Sequence, residues 1–401
     1  MMKPPETEMK TGARGYASTT PGVGGRIKAL NSDFIVEEIL PWGGVCEIKG
    51  ETDLREQPGK YLHMVCVKEN WTTNRLVGRL SKRLHISRKR IGYAGVKDKR
   101  AVSSQRLSIY GVDGEALARV NLPQATFKDV TVNNVPVKLG DLWGNRFKVT
   151  VRDVRLDEAS VGERLQQTMG ELAAGVPNFF GIQRFGFQRP ITHIVGKKIL
   201  EKDFEGAVLC YLTAELNNKY ESVEAAKFRS LVKETKDFKG ALKLCPKNLG
   251  IEASLLNHLV KSEGDYLGAL RSLPQTLSSF FIHGYQSYVF NLALSYCIEK
   301  GYSVERLPLV GYETKPDDVS ARILKQQNIK PEDFRVPEVR KLASKGGVRD
   351  CFIYPGDFKV GGVSEDELNR DSQKITLSFK LSKGSYATVV LREYMKNRYW
   401  D

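Results

Sequence analysis

The sequence predicts an α+β fold, and three stretches of different periodicity predict it. In the first part of the chain several stretches alternate apolar and polar residues, as in FIVEEI (34–39) and YLHMVCVKE (61–69). Residues 191–300 instead repeat apolar positions every three or four residues. Alternation returns after residue 350, most regularly in KITLSFKL (374–381). Strands, then helices, then strands again is the order expected when helices and sheet are segregated.

The chain has 401 residues, 41% hydrophobic and 27% charged, enough for two or three globular domains. A net charge of +15 argues for a polyanionic partner, RNA or DNA first and an anionic membrane surface second. Residues 1–24 are polar and rich in Gly, Pro and Thr, without the apolar run of a secretory signal, and read as a loosely held arm. No run approaches the roughly 18 apolar residues that span a bilayer, so a soluble, cytoplasmic protein is expected. Cys46, Cys66, Cys210, Cys245, Cys297 and Cys351 show no C-x-x-C spacing, which suits reduced thiols. The histidines are isolated too, and no metal site is expected. A P-loop is missing, and the Gly-x-Gly occurrences lack a strand–turn–helix context. No repeat of 20–50 residues is evident.

In chain order, Arg26–Leu30 is an extended entry to a strand over 33–39, where Phe34 and Val36 share a face. A second strand covers 61–69. Leu76, Leu80 and Leu84 predict an amphipathic helix over 70–84, starting near Thr72 and Thr73. Arg88, Lys89 and Arg90 follow, as a solvated helix end or a phosphate-gripping patch. Next comes GYAGVKDKRAVSSQRLSI (92–109). Asp98 stands there among Lys97, Lys99 and Arg100; neighbouring cations favour the ionised carboxylate, which suits a nucleophile, although a solvated turn would look the same. Strands are expected over 104–110 and 125–138, then a turn at Gly144-Asn145 into a strand containing Phe147. An aromatic face can stack on an extruded pyrimidine and an amide can bond its edge; Phe147 also fits an inward strand residue.

Val161, Leu165, Met169 and Leu172 mark a helix over 157–174. PNFFGIQRFG (177–186) sets glycines and phenylalanines around Gln183 and Arg184, permitting close backbone approach and stacking, or a tight core turn. Helices are expected over 193–201, 204–216, 223–234, 237–244, 252–261 and 265–270, and an aromatic-heavy, buried one over 278–300. Arg335 and Arg349 are further candidates for RNA contact.

The pattern G-x-K-D-x-x-A-x-[ST]-x-Q, present as Gly95, Lys97, Asp98, Ala101, Ser103 and Gln105, resembles the signature of the TruD family of pseudouridine synthases. Further boxes resemble that family in its order: D-F-x-V-x-E with a lysine six residues before the Phe (Lys28, Phe34), G-N-x-F (144–147), P-N-[YF]-F-G-x-Q-R-F-G (177–186), Q-S-x-x-F-N (286–291), L-P-x-x-G (307–311) and G-S-Y-A-T-x-x-[LI]-R-E (384–393).

The resemblance implies a discontinuous architecture. A pseudouridine-synthase catalytic domain with a mixed, largely antiparallel sheet would comprise 25–177 plus 350–401, with a mainly helical TRUD domain, 178–349, inserted in it. It implies an isomerase that makes pseudouridine in tRNA, at uridine 13 of the D arm, with Asp98 as nucleophile and without cofactor or metal. Lys28, Phe34, Lys97, Asn145 and Phe147 would surround the substrate. Arg88, Lys89, Arg90, Gln183, Arg184 and Arg392 are assigned to the RNA, and no protein partner or membrane is implied. The alternatives are a synthase for other structured RNAs and a non-catalytic RNA-binding protein; Asp98 with its flanking Lys, Asn and Phe argues against the latter. A zinc-dependent base deaminase would need an H-x-E…P-C-x-x-C set that is absent.

Overall fold

The computed structural model describes residues 3–186, 189–214 and 221–397. The chain forms two compact units: Ser18–Val176 with the segment from Ile353 onward, and Pro177–Phe352 with the residues up to Ala17.

The first unit is built on an eight-stranded sheet. In chain order its strands are β1 (Phe34–Ile39), β2 (Tyr61–Glu69), β3 (Ile91–Tyr93), β4 (Val102–Tyr110), β5 (Ala125–Asn133), β6 (Gly144–Val154), β7 (Gly356–Glu365) and β8 (Gln373–Ser382). Across the sheet they lie β7-β8-β6-β1-β4-β2-β5, and β3 joins β4 on the edge that β1 also uses. β1 and β4 run parallel; the other pairings described are antiparallel. The α+β class and the mainly antiparallel sheet are therefore as expected.

Alternation makes the two faces of β2 different. Leu62, Met64 and Cys66 meet Leu107 and Ile109 of β4 on one face, under Leu76, Val77 and Leu80 of the helix Thr73–Arg83. That helix forms here because Thr72 accepts from the Arg75 amide as N-cap (3.2 Å) and the apolar residues recur at helical spacing. Leu80 is fully buried, and its truncation to Ala costs about 2–5 kcal/mol. On the other face Val65 packs with Leu40, Cys46 and Leu54.

Two local expectations are corrected. Gly144 and Asn145 are not a turn but the first residues of β6; Gly144 is glycine because an added Cβ would lie 1.9 Å from the Leu381 carbonyl oxygen on β8. The loosely held arm is instead bonded along its described length. In one unit the Arg14 amide donates to Ser295 (3.0 Å) and Asn291 donates to the Thr11 carbonyl (2.9 Å). In the other, the Thr20 hydroxyl donates to Glu171 (2.6 Å), that of Ser18 to Glu393 (3.0 Å), and the Val23 amide to the Tyr394 carbonyl (2.9 Å). A polar stretch with little to bury is here anchored by hydrogen bonds, which hydropathy does not register.

The second unit is helical: Thr192–Leu200, Phe204–Thr213, Val223–Thr235, Phe238–Leu244, Gly250–Lys261, Tyr266–Ser272 and the long Gln275–Lys300. Of the helix expected over 204–216, positions 215 and 216 lie outside the described residues. A repeat is present after all. Asp203, Asp237 and Asp265 each open a D-[FY]-x-G-A segment at a helix start, and each carboxylate accepts from the amide of the glycine three residues on (2.7–2.9 Å). An added Cβ on those glycines would sit 1.9–2.2 Å from the second oxygen of the capping carboxylate, so glycine leaves room for the cap. With spacings that differ and only four positions in common, the repeat is easily passed over.

Candidate active site

Residues directly opposite across a sheet, and alternate residues along a strand, share a face. Val36 stands opposite both Phe147 on β6 and Ser103 on β4, Glu38 opposite Asn145, and Lys68 of β2 opposite Ser103. Phe34, Glu38, Lys68, Asn145 and Phe147 are thereby brought to one face from strands far apart in sequence.

The loop from β3 to β4 carries Asp98 over this face, held by residues of the motif itself. The Lys97 ammonium donates to Glu38 (2.7 Å), both side chains being buried. The Lys97 amide donates to the Thr73 hydroxyl (3.0 Å), which donates to Gln105 (2.8 Å); the Gln105 amide nitrogen reaches the Gly95 carbonyl (3.0 Å). Beneath them the Lys68 ammonium donates to the Asp98 carbonyl (3.1 Å). Ala101 and Ser103 are buried. Amid this fixed frame the Asp98 carboxylate is the exposed group, at 56%.

Its partner is Lys28, whose ammonium lies 2.6 Å from Asp98 Oδ2 and 4.1 Å from the centre of the Phe34 ring. Lys28 has φ 61°, a left-handed conformation that costs a lysine free energy, and the Arg100 guanidinium donates to its carbonyl (2.9 Å). Phe34 meets Phe147 edge-on at 6.1 Å, and Phe147 stacks on Phe379 at 5.5 Å. Phe147 is mostly covered, so the aromatics form a packed floor. Asn145 is half-buried, and its Oδ1 is a buried acceptor without a hydrogen-bond partner among the described residues. An orphan buried acceptor is costly, which sets Asn145 apart from its hydrogen-bonded neighbours.

Of the residues named from the sequence, Lys28, Phe34, Asp98, Asn145 and Phe147 lie on this face. Lys97 reaches the same face, but its side chain is buried and its ammonium is bound to Glu38, and it is Lys28 that stands beside Asp98.

The residues assigned to RNA divide. Arg88 and Lys89 are exposed, with Arg88 donating to the Asn74 carbonyl (3.1 Å). Arg90 is half-buried and closes the end of β4 by donating to the carbonyls of Tyr110 (2.9 Å) and Gly111 (2.8 Å). Arg392 is corrected: it is buried and ion-paired with Glu393 at 2.8 Å. In the helical unit Gln183 and Arg184 are half-buried in a short turn, Ile182–Arg184. The Arg184 guanidinium lies within 5.7 Å of the Phe180 and Phe280 ring centres. Two of the boxes meet there: Asn291 accepts from the Phe180 amide (2.8 Å) and donates to its carbonyl (3.0 Å). Arg349 donates to Asn178 and lies 4.1 Å from the Phe180 ring centre.

Sequence reasoning missed Lys68 and Thr73, and gave no role to Glu38, which ends the D-F-x-V-x-E box. The parity of YLHMVCVKE held the signal for Lys68, which shares the face of Leu62, Met64 and Cys66.

Among the described residues no three His, Cys, Asp or Glu side chains gather as a metal site would require, and no helix is long and apolar enough to cross a membrane. The family model for tRNA pseudouridine synthase D (TruD) matches residues 10–307 and 298–394. A Methanococcoides burtonii protein named as a probable tRNA pseudouridine synthase D is 37% identical, covering 98% of each chain. One so named from Methanocaldococcus jannaschii is 34% identical over 94% of this chain and 96% of its own. The crystal structure of a Methanosarcina mazei TruD protein superposes with a TM-score of 0.80 at 37% identity, covering 99% of both chains. With this site on this sheet and agreement along the whole chain, the protein belongs to the TruD family of tRNA pseudouridine synthases, which are isomerases.

Proposed function

We propose that this chain converts uridine 13 of the tRNA D arm to pseudouridine in the cytoplasm, with Asp98 as nucleophile and without a cofactor. The observation that carries the reading is the exposed Asp98 carboxylate paired with Lys28 above the Phe34–Phe147 floor. The choice of uridine 13 rests on the family resemblance.

The reaction breaks the bond from N1 to C1′ and joins C5 to C1′. The C5 proton leaves and N1 gains one, so the change is an isomerisation in which nothing is oxidised. The uridine must first leave its stack to reach Asp98. Attack of Asp98 on C1′ forms a C–O bond while the N1–C1′ pair of electrons departs with the uracil. Lys28 holds the carboxylate in place through their ion pair at 2.6 Å. The freed base turns over the aromatic floor, where Asn145 Oδ1 accepts its N3–H. Attack by C5 on C1′ then expels Asp98, and loss of the C5 proton restores the ring. Arg88 and Lys89 bind phosphates.

The test is single-turnover conversion in a tRNA transcript, comparing wild type with Asp98→Ala and with a transcript carrying cytidine at position 13. Conversion by wild type, lost in both comparisons while RNA binding persists, is expected. Conversion persisting in Asp98→Ala would overturn the nucleophile. Binding without conversion by wild type would turn the reading to a non-catalytic RNA-binding protein, and loss in Asp98→Ala but not with the altered transcript to another target uridine.

A further inference from the structure

Lys68 is 1% exposed, and its ammonium donates to the carbonyls of Trp71 (2.5 Å) and Asp98 (3.1 Å). It makes no ion pair among the described residues. The other buried lysine of this face, Lys97, is neutralised by Glu38, and in the same unit buried Arg152 is neutralised by Asp33 and Asp366. A buried cation without a counter-ion is costly, and a neutral amide could have satisfied two carbonyls. Packing therefore does not account for a lysine at this position. Its location does: it sits directly under the main chain of Asp98.

We infer that Lys68 is a positioning residue of the isomerisation, whose ammonium fixes the Asp98 main chain and so the aim of the carboxylate at C1′. The inference rests on the role proposed for Asp98. A charge-assisted hydrogen bond is about twice as strong as a neutral one, so the hold is firm only while Lys68 is protonated. The cation also remains close as negative charge passes from Asp98 to the departing uracil, and it favours an anion in the site throughout.

The groups around Lys68 are few. Asp98 and Lys97 face it from the loop, Cys66 lies on its own strand, Trp71 touches it through a carbonyl, and Ser103 and Ala125 stand opposite on β4 and β5. Lys97 is bound to Glu38, and burial pushes the Cys66 thiol up to about 12, so Cys66 is neutral in the range concerned. Burial pulls Lys68 down from 10.5 to about 8, against the attraction of the Asp98 carboxylate. Its folded value thus lies below its unfolded value. Between the two, the unfolded chain binds more protons at this position, so the contribution of Lys68 to stability rises with pH. Activity moves the opposite way, because the charge is being lost.

The experiment measures single-turnover conversion at saturating enzyme between about pH 7 and 9 for wild type, Lys68→Met and Lys68→Arg, with tRNA affinity and thermal unfolding beside it. Lys68→Met is expected to be on the order of 10²-fold slower, the usual scale for a misplaced catalytic group. Its tRNA affinity stays within about twofold and its melting temperature is unchanged or higher, since a buried unpaired charge has gone. Wild type loses roughly tenfold in rate across the range as Lys68 deprotonates, and Lys68→Met does not. Lys68→Arg recovers part of the rate and, its charge being permanent, shows no such fall. A Lys68→Met rate within about threefold of wild type, or a fall of the wild-type size in that variant, overturns the inference. Should Lys68→Met not fold, a flat wild-type profile does the same. A wild type inactive at every pH overturns the proposed function and this inference with it, whereas failure of the Lys68 comparisons in an active enzyme overturns the inference alone.

Discussion

Asp98 is exposed while Lys97, beside it, is buried, and that contrast sorts the motif into one reactive side chain and its frame. Lys28→Met removes the partner of Asp98 and the cation over Phe34. The expected outcome is a single-turnover rate lower by about 10²-fold, with tRNA affinity little changed, because the loss concerns aim and charge rather than grip. Glu38→Gln leaves the Lys97 ammonium buried without a counter-charge. Urea unfolding should show a loss of about 3–5 kcal/mol, and the double variant with Lys97→Met should lose less than the two singles summed. Much of this site was legible in the sequence, because Lys28, Phe34, Asp98, Asn145 and Phe147 stand at motif spacings. What was not legible concerns direction. Which lysine faces Asp98 depends on the turn of an irregular loop, and the burial of Arg392 depends on a helix, Ala387–Met395, whose described residues are all buried. A cation at the end of an apolar run looks like a surface group until the packing around it is known.

Strand and helix positions followed from period two and period three-to-four, because those periods express which side of an element meets the core, but the strand expected over 125–138 stops at Asn133. Register across strands carries no such local signal, and the parallel pairing of β1 with β4 could not be read from either strand alone. The D-[FY]-x-G-A helix starts show a different kind of miss: the signal was short and local, and only the shared capping bond makes its copies equivalent. Asp237→Ala should therefore lower stability by about 1 kcal/mol, measured by chemical unfolding, through loss of one N-cap. The basic cluster after the Thr73–Arg83 helix gives another test at this scale. Arg88→Ala with Lys89→Ala should make the dependence of log affinity for tRNA on log salt shallower by about 1.5–2, as counterion release from two phosphates is lost. Arg90→Ala should instead affect stability, since its guanidinium closes the end of β4.

At the level of the whole chain, the excess of 62 Lys and Arg over 47 Asp and Glu pointed to a polyanion, and the family agrees. Composition could not show which of those charges are held inside. Arg146, Arg152, Arg189 and Arg229 are all committed to internal carboxylates, and Arg106 to a carbonyl. The pairing of β8 with β6 has a consequence for biosynthesis. β6 needs β8 along its whole length, yet β8 is made roughly two hundred residues later. At ribosomal speeds of about 5–20 residues per second, one edge of β6 stays open for on the order of 10–40 s while the helical unit emerges. A nascent chain halted at Val176 would thus hold Asp98 and Lys28 already translated beside an unfinished sheet, open to protease and to strand addition until its last partner arrives.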